Sequence, residues 1–169
     1  VLPSPGYDCF KSHLDPHARN VIANEIDAGP ARVKPPDFDL PTLAHHQPAA
    51  FIATPVLKVT DTEIPAAPGL AALMALWNPN RSKAVFIYGG YWKAEPVSPP
   101  GIRRNNLYGA STHPMMYNGP PATELVPGHQ LFFRPTQSEF VLLQFGDLAA
   151  VSEHRIQAWW PPLPPGEGA

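Results

Sequence analysis

A single cysteine, Cys9, is the whole thiol content of the 169-residue chain, so neither a disulfide framework nor a thiolate zinc cluster can be assembled within it. That scarcity fits a reducing, cytoplasmic setting. Charge is sparse as well, with 15% charged residues and a formal net charge of −2. There is no basic stripe to follow a nucleic-acid backbone and no polybasic arm for a membrane surface, so neither partner is expected. No run approaches the roughly 18 apolar residues of a membrane span, and no basic segment followed by an apolar core opens the chain. What is abundant is proline, 24 residues, and glycine, 12. They lie between apolar runs and form no repeat, so they read as turn punctuation, and long helices are excluded.

With 44% hydrophobic residues the chain is long and apolar enough for one domain with a real core. A short helix is expected over residues 15–22, with Asp15 as N-cap and Pro16 at the first helical position. Residues 31–38 suit one short strand that Pro35 and Pro36 confine to an edge or end. Residues 51–59 are rich in strand formers and interrupted by Pro55, which predicts a strand with a bulge or an edge position. GLAALMALW, residues 69–77, is the best helical run, though a buried strand or loop fits its length equally. Residues 84–88 read as a buried strand that stops at Gly89 and Gly90, and residues 95–121 read as mostly loop. Four further strands are expected at 129–133, 140–145, 149–151 and 155–160, pairing with their sequence neighbours as a meander. The fold class is therefore mainly β, a small barrel of antiparallel strands with long Pro/Gly-rich loops and at most one or two short helices.

The last forty residues carry the strongest pattern. VPGHQLFFRPTQSEFVLLQFGDLAAVSEHRIQAWWP resembles the closing β-meander of the D-threonine aldolase and D-serine dehydratase family, with Gly128, Pro135 and the Trp160-Pro161 close in matching places. IYGGYWKA, residues 87–94, resembles the family's Asp-Ala-Gly-Trp-Lys-Ala strand end, and FIATPVLKV, residues 51–59, resembles the strand upstream of it. NEIDAGPARVKPPDFD, residues 24–39, is similar, more loosely, to the family's first strand. The resemblance covers residues 24–162, with 1–23 as the end of a preceding linker or domain and 163–169 as a disordered tail. It implies a fold-type III, alanine-racemase-like pyridoxal-phosphate enzyme acting on D- or β-hydroxy amino acids, in which an N-terminal (β/α)8 barrel holds the cofactor and a C-terminal β-barrel closes over the site. A homodimer is implied too. None of Lys11, Lys34, Lys58, Lys83 and Lys93 follows an αβ repeat, so the Schiff-base lysine and the catalytic half are expected outside this chain.

The resemblance also implies where the site lies. Alignment on Pro135 puts Gln137 and Glu139 where the family has a metal-binding His and Cys or Asp. Gln is a poor zinc donor, so the pair suits a weakly held hard ion better, or simply two polar residues on one strand face. A divalent metal is therefore doubtful. STHP, residues 111–114, falls at the family's Glu-His-Gly element, with His113 matching and Thr112 replacing the Glu. Loss of the metal ligands would favour racemase-like proton transfer or an altered lyase over metal-assisted aldol cleavage or dehydration. Around the Gly-Gly turn, Tyr88, Tyr91, Trp92, Tyr108 and Tyr117 suggest either a pocket wall or core packing. The expected catalytic residues are His113, Gln137 and Glu139, with Tyr88, Tyr91 and Trp92 lining the substrate pocket.

Other residues carry less. His45 and His46 are adjacent, point to opposite faces of an extended chain and read as solvated loop. Ser4 and Gly6 would be the end of a phosphate-gripping loop, and Cys9 reads as a small inert hydrophobe. From a different class, a stand-alone β-barrel binding module with a pocket at residues 88–92 explains the same aromatics without catalysis. A cupin-like metal barrel needs three or more ligands spaced along strands, whereas the histidines here fall mostly in loops.

Overall fold

The computed structural model describes residues 30–61, 82–105 and 109–162. The expected helix at 15–22, the run at 69–77, Ser4, Gly6, Cys9, Lys11, Tyr108 and the tail at 163–169 lie outside them. The chain divides into two compact units, Ala50–Thr136 on one hand and Val1–Ala49 with Gln137–Ala169 on the other.

The protein is mainly β, and its central feature is a six-stranded antiparallel sheet. The strands are β1 (Ile52–Asp61), β2 (Lys83–Ile87), β3 (Ala94–Ser98), β4 (Arg103–Arg104), β5 (Met115–Gly119) and β6 (Gln130–Pro135). Their spatial order is β3-β6-β1-β2-β5-β4. The two outer strands are thus consecutive in sequence, joined only by residues 99–102. Strands pack about 4.8 Å apart, so a flat sheet would hold β3 and β4 roughly 24 Å from each other. A connector of this length reaches no more than roughly 18 Å even fully extended. The sheet must therefore curl toward itself, and it does so as a nearly closed, barrel-like body. Arg104, on β4, marks the approach by donating from Nη2 to the Trp92 carbonyl just before β3, at 3.2 Å.

Alternation along the strands fills the inside. On β1, Ile52, Thr54 and Val56 are buried while Ala53 and Leu57, with Phe51 just before the strand, are exposed. Val85 and Ile87 of β2, Met115 and Tyr117 of β5, and Leu131 and Phe133 of β6 complete a core of fully buried side chains. Phe133 stands edge-on to both Trp92 and Tyr117, with ring centroids 5.6 and 5.1 Å away, the offset geometry that aromatic quadrupoles favour. The β1–β2 register shifts between Val56 and Lys58, just beyond Pro55, a bulge in an otherwise regular strand. Of the two expectations for this strand, a bulge or an edge position, the bulge is found, beyond Pro55 at Val56–Lys58, and β1 is a central strand.

Four expectations are corrected in this unit and the next. The stretch 95–121 is not mostly loop: it contains β3, β4 and β5. Pro96 survives inside β3 because that strand lies at the sheet edge. The four-strand meander does not form, since β6 pairs with β1 and β3, while β7 (Leu148–Ser152) and β8 (Arg155–Trp160) make a separate two-stranded sheet. The expected strand at 140–145 is instead a helix, α1 (Ser138–Leu142), followed by a turn. Of its apolar run Val141 alone is fully buried, with Phe140 and Leu143 exposed, which is no two-residue alternation.

The second unit also lacks the strand expected at 31–38. Prolines begin each of three short 3-10 turns there, Pro30–Val33, Pro36–Phe38 and Pro41–Leu43, because the fixed proline φ is already that of a turn. Lys34 separates the first two with a left-handed φ of 48°. Its buried ammonium donates to the carbonyls of Leu43, at 2.9 Å, and His46, and lies 3.7 Å from Asp39. This lysine ties the turns around Phe38, Leu40 and Leu43.

Candidate functional site

The turn that leaves β2, residues 88–92, is where four of the six expected site residues, Tyr88, Tyr91, Trp92 and His113, gather. Tyr88 and Tyr91 are 60% and 64% exposed, presenting their rings outward, whereas Trp92 turns partly inward against Phe133. Tyr117 belongs wholly to the core at 1% exposure. Burial raises its phenol pKa above the ordinary value, and the neighbouring Arg104 guanidinium partly offsets this. The aromatics thus divide into a wall and a core, two roles that the residue types alone do not separate.

Backbone conformation explains the two glycines. Gly89, Gly90 and Tyr91 take φ of 76°, 138° and 58° in succession, a left-handed run that costs non-glycine residues strain. A side chain on Gly89 would meet the Trp92 ring at 2.6 Å, and one on Gly90 would meet the Ser111 carbonyl at 2.7 Å. Such a turn persists only when its surroundings hold it. Thr54 Oγ1 donates to the Tyr88 carbonyl at 2.6 Å, and the Met115 N–H donates to the Gly89 carbonyl at 3.2 Å. The Tyr91 N–H donates to Met115 Sδ at 3.2 Å, and Arg104 fixes the Trp92 carbonyl.

His113 joins this turn from the segment before β5. Its Nδ1 accepts from the Gly89 N–H at 3.4 Å, its own backbone N–H donates to Ser111 Oγ at 3.3 Å, and its ring stands edge-on to Tyr88 with centroids 4.9 Å apart. Two motifs that are 24 residues apart therefore form one exposed Tyr-His pair on a rigid backbone. Positioning residues Thr54, Met115 and Arg104 were not singled out from the sequence. Thr54 had a signal, being the polar residue at an inward position of an apolar alternating strand, while Arg104 was hidden in a stretch read as loop.

Gln137 and Glu139 are placed differently. They belong to the other compact unit, and the backbone expected to set them on one strand face is instead the start of α1, where the Gln137 carbonyl accepts from the Val141 N–H at 3.2 Å. Among the described residues there is no group of three or more His, Cys, Asp or Glu side chains that could hold a metal ion. A site of Gln137 and Glu139 alone does not fit a tightly held zinc. Of the described lysines, Lys34 donates to backbone carbonyls, Lys83 pairs with Asp61 at 2.7 Å, and Lys58 and Lys93 are exposed. His45 is exposed and His46 half-buried, the latter contributing its carbonyl to Lys34.

Among the described residues no helix is long and apolar enough to cross a membrane. No protein-family model matches the chain, and no curated protein or solved structure is significantly similar to it.

Proposed function

We propose that this chain is the substrate-selecting β domain of a pyridoxal-phosphate enzyme acting on D- or β-hydroxy amino acids, as an aldolase, dehydratase or racemase-like catalyst. The cofactor is held by a (β/α)8 barrel supplied from outside the described residues, in a cytoplasmic homodimer. One observation carries this reading: STHP, which the resemblance puts close to such a site, packs through His113 against Tyr88 of IYGGYWKA, the family-like segment whose aromatics are expected to wall a pocket. The bound cofactor would supply the electron sink for chemistry at the substrate α-carbon. This domain's part is to wall the site with Tyr88 and Tyr91, to orient substrate through His113 and to exclude water.

The test uses a protein that joins this chain to the sequence encoded upstream of it. The joined protein is expected to acquire the visible absorbance of bound pyridoxal phosphate and to turn over a D-β-hydroxy amino acid, and the 169-residue chain alone to do neither. His113→Ala in the joined protein should lower kcat/KM by about tenfold or more while leaving the cofactor absorbance intact. Binding of an amino acid by the chain alone, with no cofactor absorbance in either form, would establish the non-catalytic binding module in its place.

A further inference from the structure

The Tyr88 and His113 pair has a defined polarity. An imidazole nitrogen that accepts a hydrogen bond is unprotonated, so the Gly89 N–H on Nδ1 places the proton of the neutral ring on Nε2. His113 thereby offers a donor to whatever meets its exposed edge, and Tyr88 offers a second through its phenol. Hydrogen bonds hold both segments, the Tyr88 carbonyl accepting from Thr54, the Gly89 carbonyl from Met115 and Ser111 Oγ from the His113 N–H. The flanking segments, residues 84–94 and 109–117, contain no Asp or Glu and one Lys, Lys93. Two donors borne on segments that bring no carboxylate of their own suit an anionic oxygen ligand.

We propose that Tyr88 and His113 form a carboxylate-binding site, in which His113 is a hydrogen-bond donor that seats and selects the ligand and does not act as the proton-abstracting base. The inference rests on the reading above in taking that carboxylate to be the α-carboxylate of an amino acid. It excludes ligands whose only head group is cationic. It also explains why His113 is held by a backbone N–H and not by a carboxylate, the partner that would prepare an imidazole to take up a proton.

The experiment is NMR of the histidine ring nitrogens in the full 169-residue chain, with His113 assigned by its disappearance in His113→Gln. The neutral ring is expected to show a pyrrole-like Nε2 and a pyridine-like Nδ1, and acetate, used as the probe, to shift both His113 Nε2 and the Tyr88 ring signals in a saturable way. Methylammonium should not. His113→Ala is expected to weaken the Tyr88 response to acetate on the order of tenfold, the loss of one hydrogen bond to a charged group. His113→Gln, whose amide N–H stands in for Nε2–H, should keep it within about threefold. A neutral proton on Nδ1, no response to acetate, or an equal response in His113→Ala overturns the proposal. In the joined enzyme a base at His113 would make the Gln and Ala variants equally poor in kcat, whereas a donor leaves Gln near the parent protein. The acetate arm needs neither cofactor nor turnover, so its failure is distinct from a failure of the amino-acid reading.

Discussion

The two β structures of this protein solve the same problem with opposite outcomes. The six-stranded sheet curls until its inward residues are sealed, leaving Val85, Ile87, Met115, Leu131 and Phe133 with no accessible surface. The β7–β8 hairpin has only two strands, and Val151, Ile156, Trp159 and Trp160 all remain more than half exposed. Composition does not separate them, for both are built of β-branched and aromatic residues. Strand number does, because a two-stranded ribbon has no interior and is marginally stable by itself. Stability should therefore be concentrated in the curled sheet.

The largest effect expected from breaking that contrast is Phe133→Ala, which removes a fully buried ring facing Trp92 and Tyr117. A loss of about 3–5 kcal/mol is predicted in denaturant unfolding. Gly90→Ala comes next: its φ of 138° and the Ser111 carbonyl in the path of a side chain predict about 1–3 kcal/mol, with disruption of the Tyr88–His113 ring contact visible by NMR. The third is a pH effect. The folded protein holds the Tyr117 proton more tightly than the usual value of 10.0, so the unfolded chain ionises first. Stability is then fully present below about pH 10 and declines as pH rises from there through the folded value. Tyr117→Phe should flatten that alkaline fall in thermal melting. Smallest of all, Trp160→Ala on the hairpin should change stability by no more than about 0.5 kcal/mol. Hydrogen exchange sharpens the comparison further, since amides of β7 and β8 should exchange well before those of β1, β2 and β6.

Legibility in the sequence followed the same division between local and distant causes. β1, β2, β6, β7 and β8 were readable because their apolar residues cluster between glycine and proline signals. β3 and β5 were not, since Pro96 and the prolines flanking Met115–Gly119 gave the same local signal as loop, and only the sheet edge and the partner strands distinguish them. The apolar run of α1 carries no period that separates helix from strand. For the site, His113 and Tyr88 were individually visible. Their meeting depends on the β2–β5 pairing, in which Ile87 lies opposite Met115, and no local pattern specifies that register. The clamp from Thr54 is likewise a product of the β1–β2 alignment.

One consequence concerns the protein's behaviour at high concentration. The outer strands of the curled sheet are β3, which carries Pro96, and β4, which consists of two exposed arginines. Proline withholds a donor from any incoming strand and paired positive charge repels a second copy of itself. The rim of the sheet is thus a poor template for strand addition, and ordered aggregation through it should be suppressed even though so much of the chain is β.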